Sequence, residues 1–109
     1  MSYNETFVAR EPERQEIDAG KGNLVLEFGT PWCGHCLAAQ PLIREVLEHA
    51  ATDHLRVEDG RGRRLGRSFR VKLWPTLIFL RDGEEMARVV RPTDIAVIRE
   101  ALARLEQSD

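Results

Sequence analysis

The sequence of 109 residues has little cysteine, no excess of one charge and no long apolar run, and each shortage excludes a class of protein. Two cysteines are too few for a disulfide framework, and a chain of this length can build a core without one. The 16 Lys and Arg nearly balance the 18 Asp and Glu, so the net charge of −2 excludes bulk electrostatic binding of nucleic acid. The longest apolar run, Leu73 to Leu80, is interrupted by Pro75 and is too short to span a membrane. We therefore expect one globular domain, residues 1–109, with neither a membrane nor a nucleic-acid partner.

The N-terminal segment indicates in which cellular compartment the protein is expected. It has no basic start followed by an apolar stretch and a small-residue cleavage site, so it does not read as a secretory signal. We therefore expect a cytoplasmic protein, although a chain trimmed at its start would look the same. In a reducing cytosol, a Cys-x-x-Cys pair is more often catalytic or metal-binding than structural.

Hydrophobic periodicity predicts alternating helices and strands followed by a hairpin. The predicted elements are a helix from Pro12 to about Ala19, a strand Leu24–Phe28, a helix from Cys33 to about His49, a strand Leu55–Val57, a short helix within residues 58–72, a strand Thr76–Leu80, a strand Glu85–Val90 and a helix starting at Pro92 and Thr93. Asp82-Gly83 between the last two strands tolerates the positive φ of a tight turn. The pattern predicts an α/β fold with a mixed sheet and helices on both faces.

Cys33-Gly34-His35-Cys36 lies where the first strong strand passes into a helix. Free backbone N–H groups and the helix dipole favour a thiolate at Cys33, the nucleophilic form in disulfide exchange. Cys36, about one helical turn later, can reach back and resolve a mixed disulfide. Gly34 makes the turn permissive and is expected to leave Cys33 uncovered.

His35 is predicted to tune this pair, because a partly charged imidazole stabilises a neighbouring thiolate and makes the disulfide more oxidising. The alternative is a solvated side chain with no role. A zinc site is the rival for the cysteines, but it needs four ligands, and the other histidines, His49 and His54, repeat no ligand pair. We expect no metal and no cofactor beyond the dithiol itself.

With these residues in view, the chain resembles the thioredoxin family over about residues 20 to 105. The resemblance rests on motifs in register: Glu27 in an apolar strand, Trp32-Cys33-Gly34-His35-Cys36, Pro41 in the next helix, Trp74-Pro75-Thr76 before a strand, and the Asp82-Gly83 turn. It implies a thioredoxin fold, a single mixed sheet with central parallel strands and a C-terminal β-hairpin. The Gly-His dipeptide is similar to the active site of protein disulfide isomerases, whereas typical thioredoxins carry Gly-Pro.

The resemblance also implies a role for Glu27 as the buried acid that relays a proton to Cys36. The family usually has Asp there, so the longer side chain must reach the same space by another rotamer. Independently, a lone carboxyl in an apolar strand is costly to bury in its charged form, which suits a general base. The alternatives are an edge-strand Glu27 that faces water, or a Glu27 paired with Arg56, where thioredoxins often have Lys.

A substrate groove is implied beside the cysteines. Pro75 matches the family's cis-proline, and Trp74 before it would offer backbone groups to an extended substrate. Trp32 would flank the sulfurs, although either tryptophan could be ordinary core, and Pro75 could be a trans proline at a strand start. Arg91 replaces the usual groove glycine, and Trp74 is bulkier than the usual Ile, which predicts a narrower and more basic groove.

Five arginines between Gly60 and Arg70 could bind an acidic partner or nucleic acid. A solvated helix face is the simpler interpretation, because Glu58 and Asp59 lie next to them. The segment is still a reasonable place for a contact that steers acidic substrates.

The leading hypothesis is a thiol-disulfide oxidoreductase, a reductase rather than an isomerase. Its partners would be protein disulfide substrates and an electron donor of the thioredoxin-reductase type or glutathione, and we expect a monomer. The alternative is a non-enzymatic module, a redox sensor or partner-binding subunit with the same fold.

Overall fold

The computed structural model describes residues 3–107, and its elements follow the predicted order. They are α1 (Arg14–Asp18), β1 (Asn23–Gly29), α2 (Gly34–Leu47), β2 (Asp53–Glu58), α3 (Leu65–Ser68), β3 (Thr76–Arg81), β4 (Glu84–Val90) and α4 (Ile95–Glu106).

The four strands form one mixed sheet in the order β2-β1-β3-β4. β1 pairs with β2 in parallel through the crossover helix α2, while β1–β3 and β3–β4 are antiparallel. The mixed sheet and C-terminal hairpin are confirmed. Parallel pairing is confined to β1 and the edge strand β2, and the two central strands, β1 and β3, run in opposite directions.

Helices cover both faces of the sheet, and the alternation of side chains along β1 assigns each residue to a face. Val25 packs with residues of α2 and α4, whereas Leu26 and Phe28 pack with residues of α1 and α3. Glu27 lies two residues after Val25, so its side chain is on the same face of the sheet and points toward α2. A carboxyl group is thereby placed beneath the start of the helix that carries the cysteines.

Most boundaries differ from the predicted ones by a few residues, and polar caps explain two of them. α2 begins at Gly34 because Cys33 is its N-cap, and α4 begins at Ile95 because the Asp94 side chain accepts a hydrogen bond from the Ala96 N–H at 2.9 Å. The hairpin turn matches its prediction, with φ values of 49° at Asp82 and 82° at Gly83.

The N-terminal segment, residues 3–8, runs along the outer edge of β2. Phe7 forms a parallel bridge with Arg56, and the Val8 N–H donates to the Arg56 carbonyl at 2.9 Å. The segment therefore covers polar side chains that β2 directs toward α2. Within residues 3–107, every helix is too short or too polar to cross a membrane.

Candidate active site

Cys33 and Cys36 bracket the first turn of α2, and both are free thiols. The Cys36 N–H donates to Cys33 Sγ over 3.2 Å, as a cap at a helix N-terminus does. Cys33 is 8% exposed and Cys36 is 1% exposed. Cys33 is thus more covered than the sequence predicts, yet it remains the more accessible of the two sulfurs.

The environment of Cys36 keeps its thiol protonated. Burial, followed by the hydrogen bond with Cys33, raises the pKa of Cys36 to about 12, and a backbone hydrogen bond from Thr30 opposes the rise. Gly29 supplies the space for this sulfur, because a Cβ there would lie 2.6 Å from Cys36 Sγ. Cys36 is therefore suited to wait as a thiol rather than to attack first.

Glu27 is fully buried on a central strand, which rules out the water-facing alternative. It is also not the lone carboxyl that the apolar strand suggested. Its Oε1 lies 2.8 Å from His54 Nε2, and its Oε2 accepts a hydrogen bond from Gln40 Nε2 at 2.8 Å. Arg56 Nε lies 3.3 Å from Oε2 at an ion-pair distance without hydrogen-bond geometry. The cost of burying the carboxylate is thus offset by three polar partners.

His54 is the partner of Glu27 that sequence reasoning missed. The Asn4 N–H donates to Nδ1 at 2.9 Å, so Nδ1 carries no proton and Nε2–H donates to the carboxylate. A neutral imidazole with a fixed tautomer results. The available signal was strand parity, because His54 and Arg56 share a face of β2, opposite Val25 and Glu27 in the parallel register.

Gln40 connects Glu27 to the helix that carries the cysteines. Its amide nitrogen donates to Glu27 and also to the Cys36 carbonyl at 3.0 Å, and its amide oxygen accepts the Tyr3 hydroxyl at 2.7 Å. This side chain was not predicted, because a glutamine on an amphipathic helix carries no signal that separates it from a solvent-facing residue. It ties the carboxylate to the turn that contains Cys36.

Two tryptophans join the dithiol to the loop before β3. Trp32 is 71% exposed and meets Trp74 edge to face with ring centroids 5.8 Å apart. The Trp74 indole donates to Asp59 Oδ2 at 2.9 Å, and the Trp74–Pro75 bond is cis. Neither tryptophan is core, and Trp74 lies against the residue before Cys33, where the resemblance predicts a groove.

Arg91, which the sequence places in that groove, bonds to the loop before β3. Its Nε donates to the Trp74 carbonyl at 2.9 Å, and its own N–H donates to the Pro75 carbonyl at 2.9 Å. One acceptor position of Trp74 is therefore already occupied, while a carbonyl oxygen keeps a second lone pair. An incoming strand meets a guanidinium there rather than an open glycine edge.

The remaining predicted residues lie apart from this network. Gly34 and His35 are exposed, and the His35 side chain has no hydrogen bond or ion pair with any of residues 3–107. His49 is also exposed, whereas His54 is bound to Glu27. Among the described residues, no group of three or more His, Cys, Asp or Glu could hold a metal ion.

The sheet order, the dithiol at the start of α2 and the cis Trp74–Pro75 bond before β3 together define a thioredoxin-fold protein with a Cys-x-x-Cys site. The Thioredoxin family model matches residues 6–104. The chain belongs to the thioredoxin family.

Individual relatives agree with this assignment. The structure of reduced thioredoxin 2 from Pseudomonas aeruginosa PAO1 superposes with a TM-score of 0.83 at 57% identity, over 94% of this chain and 96% of that chain. Thioredoxin H7 of Arabidopsis thaliana is 33% identical over 78 residues, 68% of this chain and 60% of that protein. Protein disulfide isomerase-like 1-3 of Oryza sativa subsp. japonica is 32% identical over 81 residues, 72% of this chain and 15% of that protein. The chain thus spans about three fifths or less of these two proteins.

Proposed function

We propose that the protein is a thiol-disulfide oxidoreductase that reduces cystines in protein substrates. The observation that carries the proposal is the unequal pair at the start of α2: Cys33 Sγ accepts an amide hydrogen bond, while Cys36 is buried with its pKa raised. One sulfur is prepared to attack and the other to remain a thiol until the first is used.

The reaction proceeds in two exchanges. The Cys33 thiolate attacks one sulfur of the substrate disulfide, an S–S bond forms, and the other substrate sulfur leaves as a thiolate. Cys36 then loses its proton and attacks Cys33 Sγ, which releases the second substrate sulfur and leaves a Cys33–Cys36 disulfide. Two electrons have passed to the substrate, and an external dithiol or glutathione must return them.

We assign Glu27 as the base for the second exchange. It is the buried carboxylate whose charge acts on the Cys36 thiol, and Gln40 ties it to the Cys36 turn. The negative charge of Glu27 attracts the Cys36 proton, which is what a general base for this step requires.

We propose reductase rather than isomerase activity because we expect a cytoplasmic, reducing compartment. His35 next to the cysteines would make the disulfide more oxidising, so isomerase activity is the alternative to test. Equilibration of the dithiol with glutathione mixtures decides it: a potential below that of the glutathione pool supports a reductase, and one above it supports an isomerase or oxidase.

Insulin reduction driven by dithiothreitol tests the activity. Wild type should accelerate precipitation of the insulin B chain, and Cys33→Ser should fall to the rate of dithiothreitol alone. Cys36→Ser is the matched control, because it keeps the attacking sulfur and should accumulate mixed disulfides. Turnover by Cys33→Ser equal to wild type, or none by wild type, would refute the proposal.

The low exposure of Cys33, 8%, favours the second candidate, a partner-binding module without turnover. A pull-down with Cys36→Ser separates the two. Mixed disulfides with many proteins support the enzyme, whereas one partner held without a disulfide supports the module.

A further inference from the structure

A cavity of about 240 Å³ opens between α3, the end of β2 and the segment that leads to β3. We call it the basic pocket. Its charged lining consists of Arg63, Arg67, Arg70, Lys72 and Asp59. Four cations therefore face one carboxylate in a hollow large enough for an acidic side chain and some water.

The side chains of Arg67, Arg70 and Lys72 are exposed, as a solvated face predicts, but the neighbouring acids pair with few of the pocket's cations. Glu58 reaches only Arg63, at 3.8 Å. The Asp59 carboxylate is engaged by the Trp74 indole and packs against Gly66. Within residues 3–107, no carboxylate lies at ion-pair distance from Arg67, Arg70 or Lys72. These guanidinium and ammonium groups keep their donors available.

The positive charge around the basic pocket differs in sign from the charge of the rest of the chain. Residues 61–72 hold six of the 16 Lys and Arg and no Asp or Glu, so the other 97 residues carry ten basic and 18 acidic side chains. A local positive field on an otherwise negative molecule attracts an anionic segment to this one place.

The backbone conformation at Arg70 would favour glycine over arginine. Arg70 has φ 58°, at the position after the C-cap of α3 where glycine is favoured. The Arg70 N–H bonds to the Arg67 carbonyl at 3.0 Å and the Val71 N–H to the Gly66 carbonyl at 2.9 Å, which is the Schellman pattern. Arginine is therefore the conformationally costlier residue at this position.

Two residues that line the basic pocket, Asp59 and Gly60, also lie next to Trp74. Asp59 lines the pocket and holds the Trp74 indole, and a Cβ at Gly60 would lie 4.0 Å from the Trp74 ring. Trp74 in turn contacts Trp32, the residue before Cys33. A substrate strand lying on Trp74 can thus place a nearby side chain over the pocket.

We propose that the basic pocket receives a carboxylate side chain from an acidic segment that flanks the cystine of the protein substrate. This deepens the oxidoreductase function proposed above and rests on it. Guanidinium groups pair with carboxylates in a forked, bidentate geometry, and opposite charge accelerates encounter. A small concave site on a net acidic chain suits one acidic side chain better than the continuous backbone of a nucleic acid.

Matched disulfide peptides test the proposal. One carries Glu beside its cystine and the other carries Gln at the same positions, and the glutamates are moved to increasing distances from the cystine. Wild type should reduce the best Glu peptide with a kcat/KM about fivefold above its Gln counterpart at low salt. The preference should shrink as ionic strength rises.

Two variants and one control assign the effect to the pocket. Arg70→Gly removes a pocket cation while placing glycine where the backbone favours it, and Arg67→Glu reverses a charge. Both should abolish the Glu preference and leave the rate for the Gln peptide unchanged. Arg99→Glu makes the same charge change on α4, and it should keep the preference.

Equal rates for the two peptides in wild type would overturn the pocket assignment, as would an equal loss of preference in Arg99→Glu. Displacement of the Glu peptide by an oligonucleotide at lower concentration than by an acidic peptide would also overturn it. No turnover of either peptide would refute the function instead. In that case, calorimetric titration of wild type and Arg67→Glu with a cysteine-free acidic peptide still decides the pocket: loss of binding in the variant supports it, and unchanged binding overturns it.

Discussion

At the residue scale, the division of labour between the two cysteines depends on how each is covered. Cys33 sits outside the helix as its cap, and Cys36 lies inside the first turn with Gly29 beneath it. The same Cys-x-x-Cys spacing would give two equivalent thiols if both were open to water. Burial raises the pKa of Cys36, so the two thiols differ in how readily they lose a proton.

Raising the pKa of Cys36 has a consequence for stability above pH 9. An unfolded cysteine releases its proton at its ordinary pKa of 9.0, whereas burial raises the folded pKa to about 12. Between those values the folded state binds more protons, so stability falls as pH rises. We expect the free energy of unfolding of the reduced protein to fall more steeply than that of Cys36→Ala, by about 1 kcal/mol per pH unit above pH 9. Urea denaturation of both proteins from pH 8 to 10.5 measures this, and equal slopes would contradict it.

The buried carboxylate of Glu27 makes His54 important for stability. His54→Leu leaves Oε1 without its hydrogen-bond donor, and it should cost about 2 kcal/mol. In a Glu27→Gln background the charge is gone, so the same substitution should cost about 1 kcal/mol less. Urea denaturation of the four proteins of this cycle measures the coupling. An identical cost of His54→Leu in both backgrounds would show that the two side chains do not interact.

Arg91 is a second residue whose backbone would favour glycine, with φ 48°. Arg91→Gly and Arg91→Ala both lose the hydrogen bond to the Trp74 carbonyl, but only glycine relieves the left-handed backbone. Arg91→Gly should therefore be more stable than Arg91→Ala by about 1 kcal/mol. Thermal unfolding of the pair checks this, and the opposite order would mean that the strain argument is wrong.

At the element scale, the short helix α3 holds the groove in place through a close contact. A Cβ at Gly66 would overlap the Asp59 carboxylate, which accepts the Trp74 indole. Four residues of helix thus set the position of a groove tryptophan that lies outside α3.

Gly66→Ala tests this contact. Alanine favours a helix over glycine by about 1 kcal/mol, but here its methyl group must displace Asp59, so we expect a net loss of stability of about 1 kcal/mol. In an Asp59→Ala background the obstacle is absent, and Gly66→Ala should become neutral or stabilising. The free energies of unfolding of wild type, the two single variants and the double variant measure the coupling between Gly66 and Asp59. Indole fluorescence reports movement of Trp74. A stabilising Gly66→Ala in the wild-type background would exclude the overlap.

At the scale of the whole molecule, element order and the hairpin could be predicted because periodicity and turn residues are local signals. The dithiol could be predicted for the same reason, since Cys33, Cys36 and the helix start are adjacent in sequence. The partners of Glu27 could not, because they depend on the register of β2 against β1 and on Gln40 facing inward. The engagement of Asp59 by Trp74, which leaves the basic pocket uncompensated, is likewise a long-range contact without a sequence signature.

Site-resolved alkylation of the reduced protein tests the central claim most directly. With iodoacetamide at pH 7 and mass spectrometry of each thiol, Cys33 should be modified first, because its sulfur is the more exposed of the two and accepts the Cys36 amide hydrogen bond at the helix N-terminus. Cys36 should remain unmodified over the same interval, because burial keeps it a thiol. Equal labelling of both residues at the rate of free cysteine, or earlier labelling of Cys36, would contradict the account.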